Sequence, residues 1–378
     1  MYDMSLTEEE NLMIQSVKEF TQTTIAPAVK EIDISGEFPW DIVNKLIDLG
    51  LHAMPVPAEY GGPGLSSVMS AILAEELAKG CPGIATTVGA NGLTSYPILL
   101  TGTEAQKKLY FDLLMSGKLA AFCLTEPNAG SDAGAVATTA VKEGGEYVLN
   151  GQKTFITNGG VAGVYTVFAT QDKSKGIKGL SAFIVERDRP GISVGKEENK
   201  MGIRASNTTD VFLENVRIPA DHLLGKEGEG FKIAMQTLDK ARPIVGAISV
   251  GLSQAALDAS IKYSKERQQF GKPICANQAL QFMLADMAIQ TEAARWLVHR
   301  ACYLIDAGLP YGKESAIAKT FASDTAMKVT TDAVQIFGGY GYSRDYPIEK
   351  MMRDAKIMQI FEGTNQVQRM VIAGQLLR

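Results

Sequence analysis

One side chain near the C-terminus has the setting of an acid–base catalyst. Glu362 follows the apolar pair Ile360 and Phe361 and precedes Gly363. A carboxyl group held among apolar groups has its charged form disfavoured, so its pKa rises towards the range in which it can accept and release a proton. The alternative is a solvated helix turn, because glutamate is rarely buried without a partner. The segment predicts either a carboxylate base or an exposed turn.

Two further segments combine hydroxyl groups, glycine and an aromatic residue. Residues 125–132 (TEPNAGSD) form a loop whose backbone N–H groups and hydroxyls could bind a phosphate or the carbonyl edge of a heterocycle. These are also the ordinary turn residues, so a plain turn is the alternative. Residues 154–160 place Phe155 beside hydroxyls at a strand end, which is typical of either a ligand contact or core packing.

Charged and glycine-rich segments of the last third suggest binding groups. Asp239 and Arg242 are three residues apart and can share one helix face, either in a site or as a surface ion pair. Arg267 could bind a pyrophosphate with its planar guanidinium. Its alternative is a cation at a helix C-terminus, with Gly271 as the cap. Residues 335–342 contain more glycine than a helix cap needs, which indicates close approach of a ligand.

Composition and missing motifs exclude several function classes. The 378 residues carry a net charge of −5, which shows no nucleic-acid footprint. No dinucleotide-binding or phosphate-loop glycine motif occurs, and the three histidines and four cysteines show neither metal-ligand nor hydrolase spacing. No apolar run reaches the ~20 residues of a membrane span, and a helical pattern begins too early for a signal peptide. We expect a soluble, metal-free protein of a bacterial cytoplasm.

Periodicity divides the chain into three parts. Helical spacing, over residues 40–51, 66–79 and 104–115, precedes short β-branched runs between residues 147 and 213. Four long helical patterns follow, at residues 231–265, 279–307, 314–337 and 346–377, and Pro243 should kink or interrupt the first. This order predicts a helical domain (1–120), a compact antiparallel β domain (121–225) and a second helical domain (226–378). It disfavours a doubly wound sheet.

Four motifs, at the spacing seen here, resemble those of the acyl-CoA dehydrogenase family of flavoproteins, of short- or medium-chain type. They are residues 124–132, 267–271, 335–339 and 360–364, and the similarity covers nearly the whole chain. The resemblance implies an α+β fold with an N-terminal helical domain, a middle antiparallel β-barrel or sandwich domain, and a C-terminal four-helix bundle.

The resemblance also implies FAD as cofactor and an acyl-CoA thioester lying against it. The residues that it assigns to flavin contact are Phe122, Leu124, Thr125, Ser131, Phe155, Ile156, Thr157, Thr364 and Gln366. A neighbouring subunit of a homotetramer, built as a dimer of dimers, would supply Arg267, Phe270 and Gln278 near the pyrophosphate, and Gln335, Gly338 and Gly339 near the adenosine. Those assigned to the substrate are Ser131, Asp239, Arg242 and Gly363.

The implied reaction is α,β-dehydrogenation of the thioester, as in fatty-acid β-oxidation. Glu362 would remove the α-proton while the β-hydrogen leaves as hydride to the flavin, giving a trans-2-enoyl-CoA. The enolate oxygen would be stabilised by the backbone N–H of Glu362 and a flavin ribityl hydroxyl. Electrons would pass to an electron-transferring flavoprotein.

Departures from the family pattern bear on the substrate and on alternatives. Some members carry the base immediately before the arginine at 242, but that position here is Ala241. Ile84 replaces the arginine of glutaryl-CoA dehydrogenases, and Phe155 and Phe361 replace a frequent Trp and Tyr. Gly89 and Ala90 suggest room for a longer, branched or cyclic acyl group. An enoyl-CoA reductase in an electron-bifurcating complex, an oxidase and a non-catalytic flavin or acyl-CoA scaffold remain alternatives.

Overall fold

The N-terminal third of the molecule is helical. A computed structural model describes residues 6–377; residues 1–5 of the predicted first domain and residue 378 of the predicted third lie outside it. The helices are α1 (Glu8–Phe20), α2 (Ala26–Ser35), α3 (Trp40–Asp48), α4 (Ser67–Gly80), α5 (Pro82–Thr101) and α6 (Glu104–Met115), with a π-helical turn, Thr21–Ile25, between α1 and α2. The Thr7 hydroxyl accepts from the Glu10 N–H, and the Glu10 carboxylate accepts from the Thr7 N–H, so a capping box starts α1.

Helix α5 is absent from the sequence-based prediction, which placed no helix between residues 79 and 104. Proline occupies the first turn of α5, where its missing N–H costs nothing. Gly83 packs so closely on the 203–205 segment that a Cβ would lie 3.1 Å from the Ala205 Cβ. Close packing, rather than a turn, therefore accounts for this glycine.

The middle of the chain forms a mixed sheet. The strands are β1 (Leu119–Cys123), β2 (Thr139–Glu143), β3 (Glu146–Thr157), β4 (Ala162–Thr170), β5 (Leu180–Glu186), β6 (Ile192–Val194), β7 (Thr208–Pro219) and β8 (Leu223–Leu224). The order is β6-β7-β3-β2-β4-β5-β8, and β1 pairs with β4. Most pairs are antiparallel, as predicted, but β1 runs parallel to β4 and β2 meets β4 in parallel at one residue pair. The chain between β1 and β4 is long enough to return in the same direction, which hairpins cannot do.

The C-terminal part is a helical bundle. Its helices are α7 (Gly230–Glu266), α8 (Gln278–Asp306), α9 (Gly312–Phe337), α10 (Ile348–Met358) and α11 (Asn365–Leu376); the short strands β9 (Gln268–Gln269) and β10 (Lys272–Pro273) pair between α7 and α8. Helix α7 packs against α4, α5, α8 and α9. These arrangements confirm the predicted α+β fold, in which one helical part precedes the sheet domain in the chain and another follows it.

The helix boundaries of this bundle differ from the prediction in two places. Pro243 lies inside a continuous α7, so the predicted interruption does not occur, because packing on several neighbouring helices outweighs a local cost of ~3 kcal/mol. The predicted helix over residues 346–377 is divided into α10 and α11, because Glu362 and Gly363 have φ values of 53° and 93°, outside the helical region. Glu362 lies in this break.

Among the described residues, α7 alone has the length and apolar composition of a membrane span. Within its most apolar 18-residue window, 67% is buried inside the protein. Such burial is typical of a core helix, and a single helix that passes this test is weak support for a span.

Candidate active site

A cavity of about 850 Å³ lies between the sheet, α5, α7 and the break that separates α10 from α11. This volume is in the range of small-molecule and cofactor sites. Eleven of the residues assigned above to catalysis, flavin or substrate line it, namely Phe122, Leu124, Thr125, Ser131, Phe155, Ile156, Thr157, Arg242, Glu362, Gly363 and Thr364. Gly89 and Ala90 of α5 and Ala241 of α7 share the same wall.

The helix break holds Glu362 in a strained backbone conformation. A side chain at positive φ is disfavoured, and Gly363, next to it, is also at positive φ. Gln368 Nε2 donates to the carbonyl oxygens of Glu362 (3.2 Å) and Gly363 (2.9 Å). The Thr364 hydroxyl accepts from the Val367 N–H at 3.2 Å and caps α11. The turn therefore presents Glu362 to the cavity instead of continuing the helix.

The Glu362 carboxyl group has a pKa near neutral pH. Its Oε2 atom is buried and has no hydrogen-bond partner among residues 6–377. Burial raises the pKa of Glu362 to about 7, while the positive charges of Arg242 and Lys319 oppose this rise. A carboxyl group with such a pKa exchanges its proton readily at physiological pH. Glu362 lies in a cavity wall and not in an exposed helix turn.

Arg242, a buried residue of the cavity wall, forms an ion pair with the partly exposed Asp239. The Arg242 side chain is 3% exposed, and its Nη1 donates to Asp239 Oδ1 across one helical turn. Burial raises the pKa of Asp239, and the neighbouring guanidinium opposes that shift. The Arg242 Nε atom has no partner among the described residues. The surface ion pair considered from the sequence is wrong for Arg242, although Asp239 itself does not line the cavity.

The hydroxyl-rich loop after β1 is held by a buried ion pair. Lys153 Nζ donates to Glu126 Oε1 at 2.7 Å and to the Leu124 carbonyl at 3.2 Å. The Glu126 carboxylate also accepts from the backbone N–H groups of Ala137 (2.6 Å) and Thr138 (3.0 Å). A plain turn would need none of these buried contacts. The pair fixes the position of the cavity-lining residues on either side of Glu126.

The cavity wall fits the flavin that the resemblance implies. Phe155 is 63% exposed yet stands in the wall, at φ 55°, so an apolar ring is held open in a strained backbone conformation. Ile156 and Thr157 follow it, and Thr125 and Ser131 add hydroxyls. A planar heterocycle with an apolar face and polar edges would match this combination.

A second group of predicted residues lies outside the cavity, at one end of the bundle. Arg267, Phe270, Gln278, Gln335, Gly338 and Gly339 come from the end of α7, the start of α8 and the end of α9. The Arg267 guanidinium lies 5.3 Å from the ring centre of Tyr340 and has no carboxylate partner within residues 6–377. Phe270 is 96% exposed at φ 53°. Gln366 is also exposed and away from the cavity.

The sequence analysis did not identify two buried polar residues that contact the break between α10 and α11, called here the base segment (residues 359–364). Lys319 and Asn365 are both buried, and Lys319 Nζ donates to Asn365 Oδ1 at 2.8 Å. Ser315, Lys319 and Ser323 recur every four residues within an alanine-rich helix, and all three are buried. That spacing of a lysine with small residues is a signal that could have revealed it.

Comparison with known proteins identifies the family. Models of the N-terminal, middle and C-terminal domains of acyl-CoA dehydrogenase match residues 7–118, 121–216 and 228–377. The chain is 48% identical to the NADH-dependent acryloyl-CoA reductase of Anaerotignum propionicum, over 100% of this chain and 96% of the relative.

Two solved structures superpose over the full length of both chains, each with a TM-score of 0.97. One is butyryl-CoA dehydrogenase from Megasphaera elsdenii, at 48% identity. The other, at 50% identity, belongs to a structure described as the electron transferring flavoprotein of Acidaminococcus fermentans, in a study of flavin-based electron bifurcation. The chain belongs to the acyl-CoA dehydrogenase family of FAD-dependent oxidoreductases, which dehydrogenate acyl-CoA thioesters between Cα and Cβ.

Proposed function

We propose that Glu362 is the base of this reaction and that the preferred substrate is a short-chain acyl-CoA. The observation that carries the first part is the buried Oε2 atom of the cavity-lining residue Glu362, which has no hydrogen-bond partner among residues 6–377, in a group whose pKa burial raises to about 7. The second part is supported by the relatives, whose names specify a four-carbon and a three-carbon acyl group.

In this proposal Glu362 takes the α-proton of the thioester. The backbone N–H of Glu362 has no acceptor among residues 6–377, so it is available to the carbonyl oxygen on which negative charge develops. FAD, when bound, supplies the acceptor for the β-hydrogen as hydride. The strained turn holds the carboxyl group and this N–H within one residue, which positions both without a further rearrangement.

Flavin binding is proposed for the two edges of the cavity wall. Residues 122–131 and 155–157 would contact the ring system, and Thr364 would contact it from the start of α11. Arg267, Phe270, Gln278, Gln335, Gly338 and Gly339 would bind the pyrophosphate and adenosine of a neighbouring subunit's FAD, in a homotetramer. Arg267, which has no carboxylate partner among residues 6–377, and the exposed Phe270 support this division. Sedimentation of the FAD-bound protein tests it, and a monomer that retains FAD would contradict it.

An anaerobic titration tests the proposed reaction and its substrate. The purified yellow protein is mixed with straight, branched and alicyclic acyl-CoA thioesters, and flavin bleaching is recorded. Butyryl-CoA should bleach the flavin faster than octanoyl-CoA or a cyclic thioester. Failure of every thioester would overturn the proposed reaction, and a preference for long or cyclic thioesters would overturn the short-chain proposal alone.

The Gly89 position offers a test of acyl-chain depth. A Cβ at Gly89 would lie 3.4 Å from Ile244 Cγ2 and 3.9 Å from Ile248 Cδ1, so valine would fill the cavity there. We expect Gly89→Val to lower kcat/KM for hexanoyl-CoA ~10-fold more than for butyryl-CoA, since each lost methylene contact is worth about 1–3 kcal/mol. Gly374→Val is the control, because Gly374 has open space around its Cα. An equal loss of kcat/KM for both thioesters would show that this position does not limit the length of the bound acyl chain.

The pH dependence of flavin reduction follows from the raised pKa of Glu362. A base must be deprotonated to act, so the second-order rate of anaerobic flavin reduction at subsaturating butyryl-CoA, which reports the free enzyme, should rise with pH, with a midpoint of about 7. The signal is flavin absorbance in a stopped-flow instrument between pH 5.5 and 8.5. A rate that is constant across this range, or that falls with pH, would contradict the assignment of the base.

Partner and direction are proposed from the relatives. We infer that electrons pass to an electron-transferring flavoprotein in a bacterial cytoplasm, with α7 serving as a core helix. A second candidate is reduction of an enoyl-CoA, which is favoured by the 48% identity to an acryloyl-CoA reductase. Mixing the protein with an electron-transferring flavoprotein, and then either butyryl-CoA or NADH plus crotonyl-CoA, distinguishes the directions. A protein that turns over with oxygen alone would contradict both.

A further inference from the structure

The base segment rests on a buried lysine that has no carboxylate partner. The side chain of Lys319 is 0% exposed, and its Nζ donates to the Gly363 carbonyl at 2.9 Å and to Asn365 Oδ1 at 2.8 Å. No carboxylate oxygen lies within 4.0 Å of this Nζ in the described part of the chain. Burying an ammonium group on neutral acceptors alone is costly. A purely structural contact of this kind would be served by a smaller neutral donor.

Both ends of the helix break are attached to α9 around this lysine. Asn365 Nδ2 donates to Ser323 Oγ (2.9 Å) and Asp324 Oδ1 (2.8 Å). Gln359 Nε2 donates to the same Asp324 oxygen at 2.7 Å. Lys319 binds the carbonyl of Gly363, between these two attachment points. It is therefore the contact from α9 that reaches the strained turn itself.

The titratable groups that interact with Glu362 come from three helices. Arg242 of α7 and Lys319 of α9 are the cations that oppose its raised pKa, and the negative charge of Glu362 in turn helps to raise the pKa of the Tyr96 phenol of α5. Burial lowers the pKa of Lys319 to about 8, Glu362 counters that shift, Arg242 reinforces it, and Asp324 counters it. Arg242 is already paired with Asp239, whereas the acceptors of Lys319 within the described residues are neutral.

We propose that Lys319 is a positioning residue for proton abstraction, which holds the Glu362–Gly363 turn through the Gly363 carbonyl and, as a buried cation, favours the carboxylate form of Glu362. This inference rests on the proposed role of Glu362 as the base. Lys319 does not line the cavity and need not touch the substrate. It acts on the reaction through the geometry and the charge of the base.

Two substitutions separate the charge from the hydrogen bond. Lys319→Gln keeps an N–H donor for the Gly363 carbonyl and removes the charge, whereas Lys319→Met removes both. The control is Lys328→Met, the same substitution on the same helix at a half-exposed lysine paired with Asp332. FAD-bound proteins are mixed anaerobically with butyryl-CoA from pH 5.5 to 9, and flavin reduction is followed.

The expected results are specific to a positioning role. The midpoint of the pH profile should rise by about one pH unit in Lys319→Gln, because an opposite charge nearby lowers a carboxyl pKa by ~1–3 units. Lys319→Met should show the same shift of the midpoint. In addition, its limiting rate at high pH should be about 10-fold lower than that of the unmodified protein, because displacing a base by ~1 Å can lower the rate by this factor or more. Lys328→Met should match the unmodified protein.

An unshifted midpoint in Lys319→Gln would overturn the inference, whatever its rate, because a structural lysine affects the amount of active protein and not the proton equilibrium of Glu362. Failure of both variants to fold with FAD would overturn it as well. Different results would contradict the role of Lys319 and the proposed role of Glu362. If Glu362→Gln still reduces flavin, the base assignment is wrong; if Glu362→Gln is inactive and the Lys319→Gln midpoint is unmoved, only the inference is wrong.

Discussion

Substituting Glu362 with glutamine should reduce the rate of anaerobic flavin reduction by butyryl-CoA ~10²–10⁴-fold, the usual contribution of a positioned base. Glutamine has nearly the same shape and can occupy the same turn, but its amide cannot accept the α-proton. The Gln368 contacts to the Glu362 and Gly363 carbonyls involve only the backbone at these positions and should persist. FAD content should therefore stay at the unmodified level.

The control for this substitution is Glu19→Gln on the exposed face of α1, which should leave the rate unchanged. An unchanged rate in Glu362→Gln would exclude it as the base. The pH dependence of protein stability gives an independent test of the raised pKa of Glu362. The folded-state pKa of Glu362, about 7, exceeds its ordinary value of 4.5, so the native state favours the protonated form and loses stability as pH rises from 4.5 through 7.

Glutamine cannot ionise and escapes this penalty, which amounts to at most about 3 kcal/mol. The thermal midpoint of Glu362→Gln should therefore exceed that of the unmodified protein at pH 8 and approach it at pH 4.5. The opposite pH trend would contradict the raised pKa.

Replacing Lys153 with methionine should destabilise the middle of the molecule and reduce FAD content. The Glu126 carboxylate would remain buried with only the N–H groups of Ala137 and Thr138 as partners. Leaving one charge of a buried pair unpaired costs about 3–5 kcal/mol. We expect the thermal midpoint to fall by roughly 10 °C, judged from the ~2–4 °C per kcal/mol of mid-sized domains. The Leu124–Ser131 loop loses its anchor, so flavin should dissociate on gel filtration.

Two comparisons isolate the ion pair. The double variant Lys153→Met/Glu126→Gln should recover part of the stability, because no unpaired charge is then buried. Lys108→Met removes a lysine from the exposed pair with Asp112 and should cost less than about 1 kcal/mol. If Lys153→Met behaves like Lys108→Met, the buried pair does not hold the loop.

Hydrophobic periodicity predicted most of the helices because an amphipathic face is a local property of the chain. It failed where tertiary contacts override local preference. Helix α5 continues through Gly89 and Gly92, and α7 continues through Pro243, because packing of these helices against other elements outweighs the local cost of glycine and proline. The apolar pattern of residues 346–377 spans two helices, and no periodicity marks the positive φ at Glu362.

The sequence by itself determined the residue types at the site and their order along the chain. It contains the carboxylate beside a glycine, the hydroxyl-rich loop, and the arginine and glycine segments, and these suffice for the family. The tertiary structure decided which of them share a cavity. It placed Arg242 and Glu362 in one wall and Arg267 outside it.

The proton affinity of Glu362 was likewise decided only by folding. Its pKa depends on burial in the folded molecule and on the charges of Arg242 and Lys319. Those charges lie 120 and 43 positions away in the chain, by subtraction of the residue numbers. Electrostatic energies depend on distances and on desolvation in the folded molecule, and the order of residues along a chain specifies neither.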